Sequence, residues 1–322
     1  MLVVFMLHTK INIKVMPKLN LRVLRLQLGA VLLSSLTLSQ AFAADKDYQV
    51  ELPAAPEGSV TFTSPNEADI PNNAFGDAVR YGQSLFTNTQ QLRGKYVGNE
   101  LNCSNCHINK GRKANAAPLW GAFPMYPAYR KKNDHVNTID ERIQGCFTYS
   151  MNGTPPPFGS KELTALVTYH YWLSTGAPVG QALPGRGYPK LDTPAEAPSV
   201  SRGEVVYQDN CAICHGDNGA GTQVDGHYAF PPLWGKDSFN WGAGMHRVNT
   251  AAGFIKANMP LGKPNSLTDQ QAWDVAAFMN SHERPQDPRY NGNIAQTAET
   301  FHKHQCFYNK EVDNELRGQG VK

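Results

Sequence analysis

The sequence predicts an all-α fold of two related helical domains joined by a linker rich in glycine and proline. The same short motifs occur twice, in the same order, within the 322 residues, and such self-similarity is the signature of a repeated structural unit. Each half ends in a stretch whose apolar residues recur at i, i+3, i+4 and i+7, which is the spacing of an amphipathic helix. Between the halves, the glycines and prolines from Gly180 to Pro198 predict a loop.

The repeated motifs give each half the same order of elements. A Gly-x-x-x-aromatic motif opens the half, Cys-x-x-Cys-His and Pro-Leu-Trp-Gly follow, and the amphipathic helix closes it, with a Thr-x-x-Gln capping box in the second half. We expect little β structure. The motifs are Gly82–Phe86 and Gly203–Tyr207, Cys103–His107 and Cys211–His215, Pro118–Gly121 and Pro232–Gly235, then Leu163, Leu166, Val167 and His170 in the first helix, and Ala272, Val275, Ala276 and Met279 in the second, capped at Thr268 and Gln271.

The N-terminus predicts an exported protein. Residues 1–43 hold five basic and no acidic residues, an apolar run from Leu26 to Leu38, and a terminal Ala41-Phe42-Ala43, which together are typical of a secretory signal peptide. An uncleaved membrane anchor is the alternative, but the apolar run is shorter than the roughly 20 residues that a span needs. We expect cleavage after Ala43, a periplasmic location and no membrane span in the mature chain.

Charge and length limit what the mature chain can be. Without the leader, 25 basic and 27 acidic residues remain, so the formal charge changes from +3 to −2. This balance, without a patterned basic stripe, argues against a nucleic-acid partner. The remaining length suits two domains. The predicted divisions are a signal peptide at 1–43, an N-terminal extension at 44–75, a first domain at 76–180, a linker at 181–200, a second domain at 201–285 and a C-terminal extension at 286–322. We expect both extensions to be irregular.

Four of the six cysteines lie in the two Cys-x-x-Cys-His motifs. This is the attachment sequence of c-type haem, because two thiols one helical turn apart can form thioethers with the porphyrin and the next histidine can bind the iron. A zinc site or a thioredoxin-type pair is the alternative, but neither needs a histidine after each pair. We predict two covalently bound haem c groups, attached at Cys103 and Cys106 and at Cys211 and Cys214, with His107 and His215 as proximal ligands.

The order of these motifs resembles the class I cytochrome c domain, so we expect two such domains. In the second half, Met259-Pro260 is similar to the Met-Pro loop of those cytochromes, which predicts Met259 as the sixth ligand. Met259 as a packing methionine is the alternative, and Met245 and His246 are competing ligands. A His/Met pair raises the reduction potential, which suits a haem that passes electrons onward.

The first half leaves its sixth ligand open. The mono-haem pattern would select Met151, and Cys146 is the other candidate. Cys146 could instead form a disulfide with Cys306 or be an inert buried thiol. A thiolate on the iron would lower its potential and would keep a nucleophilic sulfur beside the haem.

A longer motif resembles one particular family. Arg-x-x-x-Cys-Phe from Arg142, with Met-Asn-Gly from Met151 downstream and a Cys-x-x-Cys-His domain on either side, is similar to the thiosulfate dehydrogenases, a dihaem family that also includes tetrathionate reductases. The likeness runs from about 75 to 290. Some members carry a lysine before the methionine of the second haem and exchange the two as ligands. Asn258 stands at that position here, so fixed ligation by Met259 is favoured.

The resemblance implies which residues form the active site. It implies that the first haem is catalytic and has His107 and Cys146 as its ligands. It also implies that Arg142 and Ser150 line the substrate pocket. The implied partners are thiosulfate or tetrathionate as substrate and a small cytochrome c or similar protein as redox partner.

The chemistry of that reaction agrees with these residues. Joining two thiosulfates, or the reverse, moves two electrons and makes or breaks one S–S bond, which two one-electron haems can support. The substrates are dianions, and the guanidinium of Arg142 can fork onto sulfonate oxygens. Lys132, in the run Arg130–Lys132, is a further candidate, although such runs usually face water. Cys146 could form a transient adduct with sulfur or act only as an iron ligand.

Two other functions stay open on the sequence. A non-catalytic dihaem electron-transfer cytochrome would need strong ligands on both haems and no pocket for an anion. A dihaem peroxidase would need an iron with an open position rather than a cysteine ligand. The pairing of Arg142 with Cys146 favours the thiosulfate–tetrathionate enzyme over both.

Overall fold

The computed structural model describes residues 62–321, and their regular secondary structure is mainly helical. The predicted signal peptide and the extension as far as residue 61 lie outside the described residues. The helices are α1 Ala74–Thr87, α2 Ile108–Gly111, α3 Ile139–Gly145, α4 Lys161–Leu173, α5 Val200–Asn210, α6 Ala212–His215, α7 Val248–Asn258, α8 Asp269–Asn280 and α9 Ile294–Phe301. A π-helical turn, Cys146–Ser150, continues α3, and 3-10 turns lie at Glu67–Asp69, Thr89–Leu92, Cys103–Asn105, Leu119–Gly121, Phe123–Met125 and Gly244–His246.

The β structure consists of three short antiparallel hairpins in the described part of the chain. This agrees with the expectation of an almost wholly helical protein. Within residues 62–321 no helix combines the length and the apolar composition that a bilayer crossing requires. The hairpins pair β1 Ala128–Arg130 with β2 His135–Asn137, β3 Thr222–Val224 with β4 His227–Phe230, and β5 Glu311–Val312 with β6 Glu315–Leu316.

In the first half, α1 packs across α4, and Gly82 lies where the two helices meet. A Cβ atom at Gly82 would lie 2.0 Å from the carbonyl oxygen of Ala165, so the approach requires glycine. Asn73 and Ser160 cap the two helices through their side chains. The apolar residues of this crossing include Val79, Leu85, Phe86, Leu163, Leu166, Tyr169 and Trp172.

The second half repeats this crossing with α5 and α8. A Cβ atom at Gly203 would lie 2.0 Å from the carbonyl oxygen of Asp274, which matches the arrangement at Gly82. The predicted capping box is present, since Thr268 and Gln271 exchange backbone-to-side-chain hydrogen bonds of 2.8 and 3.1 Å. Each Gly-x-x-x-aromatic motif thus places a glycine at the same helix crossing. The core here includes Val206, Tyr207, Ala272, Val275, Ala276 and Phe278.

Residues 181–199 connect the halves without a helix or strand and bind to both. The amide N–H of Asn115 donates to the Gly185 carbonyl at 2.7 Å, and that of Ala117 donates to the Gly187 carbonyl at 2.9 Å. On the other side, the indole N–H of Trp273 donates to the Asp192 carbonyl at 3.1 Å. The linker therefore fixes the second half against the loop that follows the first Cys-x-x-Cys-His motif.

The C-terminal segment is more ordered than the sequence predicts. The prediction of an irregular extension at 286–322 is wrong over part of it, because α9 and the β5–β6 hairpin lie there. Cys306 and Tyr308 are buried against Trp241 in a third small core. The segment has few apolar residues of its own, and it becomes ordered by a contact with a residue far away in sequence, which local periodicity does not encode.

Candidate active site

The first Cys-x-x-Cys-His motif lies on a tight turn that begins at Cys103. The backbone N–H of Cys103 donates to the Thr89 hydroxyl at 3.0 Å, and the N–H of His107 donates to the Cys103 carbonyl at 3.0 Å. Burial raises the pKa of Cys103 and of Cys106 to about 12. All six cysteines have free thiols, so the structure does not contain the alternative Cys146–Cys306 disulfide.

The histidine of each motif is oriented by a backbone carbonyl. His107 Nδ1 lies 2.7 Å from the Ala117 oxygen, and His215 Nδ1 lies 2.9 Å from the Pro231 oxygen. A carbonyl can only accept, so Nδ1 carries the hydrogen and the lone pair is left on Nε2 for a metal. Burial lowers the pKa of His107 to about 4, which keeps the imidazole neutral. Each carbonyl directly precedes a Pro-Leu-Trp-Gly motif, which explains why that motif is repeated.

These groups fit the two covalent haem c groups that the sequence predicts. Each half offers two free thiols on one turn and a neutral imidazole whose metal-binding nitrogen has been selected by a hydrogen bond. Aromatic rings stand beside both histidines, with Phe86 at a centroid distance of 6.0 Å from His107 and Phe230 at 6.2 Å from His215. The donor chemistry is that of a thioether-linked haem with a proximal histidine.

Cys146 begins the π-helical turn that follows α3. The helix starts with a capping box, since Thr138 N–H donates to Glu141 at 2.6 Å and Glu141 N–H donates to the Thr138 hydroxyl at 3.3 Å. One turn later, Arg142 Nη1 lies 2.9 Å from Cys146 Sγ. Arg142 and Cys146 therefore share one face of this segment, and the Arg142 bond runs to the sulfur rather than to Asp140 or Glu141.

Electrostatics connect this pair with the attachment cysteines. The proximity of Cys146 is the first cause of the raised pKa of Arg142. After burial, Cys146 is also the cause that raises the pKa of Cys106. The sulfur of Cys146 therefore lies near the first Cys-x-x-Cys-His motif, with Arg142 beside it.

Ser150 and Met151 end the π-helical turn. The turn is closed by Met151 N–H donating to the Cys146 carbonyl at 2.9 Å, a bond that spans five residues instead of the four of an α-helix. The Ser150 carbonyl accepts from the Asn99 amide at 2.8 Å. Met151, the competing ligand, is 3% exposed within the apolar core of the first half.

Lys132 turns inward from the β1–β2 hairpin. Its Nζ donates to the Gly242 carbonyl at 2.6 Å and stands 3.8 Å from the centre of the Tyr149 ring. Burial of the ammonium group, followed by the positive charges of Arg289 and Arg142, lowers the pKa of Lys132. The residue as a whole remains exposed along its stem, so water limits the size of this effect. The alternative of a fully solvated lysine does not match these contacts.

Sequence reasoning missed three residues that the fold brings to this region. Arg289 stands 5.1 Å from the Tyr149 ring centre, and Arg247 is a further cation that lowers the pKa of Lys132. Tyr188, from the linker, packs against Phe254 with ring centroids 5.3 Å apart, and its pKa is raised by burial first and by the nearby Cys106 next. No motif marks any of the three, because each reaches the pocket through a long-range contact.

The second half positions Met259 directly after α7. Met259 packs against the core of that half, and its N–H donates to the Ile255 carbonyl at 2.8 Å. The preceding Asn258 is fully buried and donates through Nδ2 to the Asn115 carbonyl at 2.9 Å. Of the competing ligands, Met245 is partly buried between the two cores, and His246 lies in a separate cluster with the C-terminal segment.

Known proteins resemble this chain in both of its halves. Residues 82–179 match the family described as SoxA/TsdA, cytochrome c domain, and residues 198–279 match that described as cytochrome C oxidase, cbb3-type, subunit III. A thiosulfate dehydrogenase of Stutzerimonas stutzeri (strain A1501) is 58% identical over 268 residues, which cover 82% of this chain and 87% of the relative. That of Thiomonas intermedia (strain K12) is 48% identical, over 91% of this chain and 95% of the relative.

The chain belongs to the thiosulfate dehydrogenase family. A solved structure, the thiosulfate dehydrogenase TsdBA from Marichromatium purpuratum in its "as isolated" form, superposes with a TM-score of 0.79 at 49% identity. The alignment covers 81% of this chain and 58% of that longer chain. Membership of the thiosulfate dehydrogenase family confirms the fold of two cytochrome c domains, the haem c cofactors and, at the level of the family, the predicted enzyme.

Proposed function

We propose that this chain interconverts thiosulfate and tetrathionate in the pocket beside Cys146, in the oxidative direction that the names of its relatives indicate. Two thiosulfate dianions lose two electrons and form one S–S bond, giving a tetrathionate dianion without uptake or release of protons. The observation that carries this proposal is the 2.9 Å contact between Arg142 Nη1 and Cys146 Sγ in a pocket with additional positive charge.

The haems supply one-electron oxidation and reduction, and we assign their axial ligands from the side chains described above. His107 and Cys146 would hold the first iron, and His215 and Met259 the second. The hydrogen bond from Arg142 stabilises negative charge on the Cys146 sulfur, because a guanidinium is a strong donor to an anionic acceptor. We assign catalysis to the domain at 76–180 and relay of electrons to the domain at 201–285. The linker at 181–200 connects these two domains.

Charge in the pocket supports an anionic substrate. Arg142, Arg247 and Arg289 lie close enough to lower the pKa of Lys132, and Asp287 is the carboxylate that opposes them there. Arg289 already pairs with Asp287 at 2.6 Å. The positive charge that remains would attract a dianion, and a guanidinium fork would orient its sulfonate oxygens. We expect Ser150 to contribute a hydroxyl donor at the far end of the π-helical turn.

Turnover by the purified mature chain tests the proposal. With thiosulfate and a one-electron acceptor such as ferricyanide, we expect tetrathionate to form at half the molar amount of thiosulfate consumed. Incubation of the reduced protein with tetrathionate measures the reverse direction. A chain that carries both haems and is inactive in both directions would instead be an electron-transfer cytochrome.

Periplasmic location and the electron acceptor belong to the same proposal. The leader lies outside the described residues, so export is tested by sequencing the N-terminus of the mature protein, which we expect to begin at Ala44. A small cytochrome c should reoxidise the second haem faster than the first. Equal rates for the two haems would argue against relay through the second domain.

A further inference from the structure

Four metal-binding side chains meet outside the haem pockets. His246 comes from the 3-10 turn Gly244–His246, and His302, His304 and Cys306 follow α9 in the C-terminal segment. The donor atoms of these four residues all lie within 4.8 Å of one another. His246, His302 and Cys306 are buried, and His304 is half-buried. The cluster joins two parts of the chain that are more than fifty residues apart in sequence.

Hydrogen bonds point the free nitrogens into this cluster. His246 Nδ1 donates to the Ala243 carbonyl, so its Nε2 carries a lone pair that can bind a metal. That Nε2 lies 2.7 Å from His304 Nε2. His302 Nε2 lies 3.0 Å from the Asp287 carboxylate, so its Nδ1 is free, and that atom lies 3.6 Å from Cys306 Sγ. A metal-binding histidine usually has such a carbonyl or carboxylate acceptor on its other nitrogen.

We propose that His246, His302, His304 and Cys306 bind one Zn²⁺ ion. Three imidazole nitrogens and one thiolate form a closed four-coordinate donor set of the nitrogen and sulfur type that zinc prefers. Nitrogens at ~2.0–2.1 Å from a tetrahedral ion lie about 3.3 Å apart, so the His246–His304 pair needs to open only slightly. The Cys306 thiol releases its proton to solvent when the ion binds, and the histidines bind as neutral rings.

The surrounding charges allow a divalent ion. Arg247 and Arg289 are the nearby cations and Lys132 a more distant one, as their lowering of the His304 pKa shows. The thiolate formed at Cys306 and the carboxylate of Asp287 oppose them. Arg289 also forms an ion pair with Asp287 at 2.6 Å. This pairing weakens the repulsion between the Arg289 guanidinium and a bound cation.

The ion would fasten the C-terminal segment to the loop that precedes α7. That loop contains Gly242, whose carbonyl accepts from Lys132, and Trp241, which packs against Cys306 and Tyr308. With four protein ligands the site has no open position, so its role is structural rather than catalytic. Zinc would therefore stabilise one wall of the substrate pocket without taking part in electron transfer.

Metal analysis of the holoprotein tests this site. After equilibrium dialysis against Zn²⁺ and removal of excess, we expect one zinc per chain in addition to the haem iron. His304→Ala and Cys306→Ser should reduce zinc to background with iron unchanged. His227→Ala removes an exposed histidine of β4 and should retain full zinc, which makes it the matched control.

Thermal unfolding gives a second measurement. A chelator should lower the Tm of the wild type and of His227→Ala by several degrees, and should leave His304→Ala unchanged, because thioether-linked haem is not extracted. If Cys306→Ser fails to fold, His304→Ala decides the question, since its side chain is half-exposed and its loss should be tolerated. A wild-type chain that retains no more zinc than His304→Ala overturns the proposal.

Discussion

The two cytochrome domains share one scaffold and differ in the segment that carries the candidate sixth ligand, Cys146 in the first domain and Met259 in the second. Gly82 and Gly203 permit the same helix crossing, and His107 and His215 donate to equivalent carbonyls. The two halves differ in the segments that follow these shared elements. The first half offers a sulfur at the start of a π-helical turn with an arginine beside it, and the second offers a methionine after an ordinary α-helix.

This comparison indicates where function resides in a duplicated fold. The elements that would attach and orient a haem are repeated almost motif for motif, because both domains have the same task there. The elements that would decide substrate binding and potential are not repeated. We therefore expect changes on the proximal side to abolish a haem, and changes on the distal side to separate the roles of the two halves.

Removing an attachment motif should have the largest effect. Cys103→Ala/Cys106→Ala should lose the first haem and all turnover, whereas Cys211→Ala/Cys214→Ala should lose the second haem and leave substrate able to reduce the first. Mass spectrometry of the intact chain measures the haem count, and reduction by thiosulfate measures the remaining pocket. An unmodified wild-type polypeptide would contradict the assignment of both motifs.

Replacing Cys146 should abolish turnover with both haems still attached. Cys146→Ala removes the sulfur that Arg142 contacts at 2.9 Å, and electron paramagnetic resonance should lose the signal of a thiolate-ligated haem. Met151→Leu is the matched control, because it keeps the volume of a side chain buried in the core nearby. If the wild type shows no thiolate signal and its low-spin haem signal changes in Met151→Leu but not in Cys146→Ala, Met151 is the ligand instead.

Arg142→Ala should reduce kcat/KM for thiosulfate about 10- to 100-fold. A charge-assisted hydrogen bond is worth ~1.5–3 kcal/mol, at roughly 1.4 kcal/mol per tenfold in rate. Arg142→Lys should recover only part of the loss, since an ammonium keeps the charge without the fork. Arg93→Ala, which breaks an exposed ion pair with Glu100, is the control. Altered haem spectra with unchanged KM would show that Arg142 only holds the Cys146 loop.

Met259→Gly should change the second haem alone. We expect loss of the absorption band of Met-ligated ferric haem and slower transfer to an external acceptor, while thiosulfate still reduces the first haem at the wild-type rate. Stopped-flow spectroscopy separates the two steps. Persistence of the band in Met259→Gly and its loss in Met245→Leu would transfer the ligand role to Met245.

Lys132→Met should have the smallest effect, about a two- to fivefold rise in KM. Lys132 is an exposed residue overall, and charges of residues near the surface contribute only about 0.2–1 kcal/mol. Lys131→Met changes the exposed neighbour and should leave KM unchanged. Steady-state kinetics at low and high salt measure both variants, and an equal response of the two would mean that Lys132 does not face the substrate.

The sequence was sufficient for features that depend on local spacing. The closing helices with His170 and Met279 on their inner faces and the one-turn spacing of Arg142 and Cys146 are patterns of residues close together in the chain. The structure has both helices and brings Arg142 to Cys146, whereas haem attachment at the two Cys-x-x-Cys-His motifs stays a prediction.

Features that depend on long-range contacts could not be predicted. The π-helical turn after Cys146 needs one extra residue per turn, which no residue type specifies. The inward turn of Lys132 depends on the Gly242 carbonyl 110 residues away. Arg289 reaches Tyr149 only because the C-terminal segment folds back onto the protein, and its hydrophilic composition gave no sign of that.

The hydrogen bond from Asn258 to Asn115 links the residue before Met259 to the loop whose Ala117 carbonyl orients His107. Asn258 adjoins Met259 and donates to the Asn115 carbonyl at 2.9 Å. Two residues after Asn115, the Ala117 carbonyl accepts from His107 at 2.7 Å. Electrons tunnel more readily along covalent and hydrogen bonds than across van der Waals gaps. The proposed ligands of the two irons are thus connected by a continuous bonded route, and Asn258→Ala would interrupt it without changing either ligand.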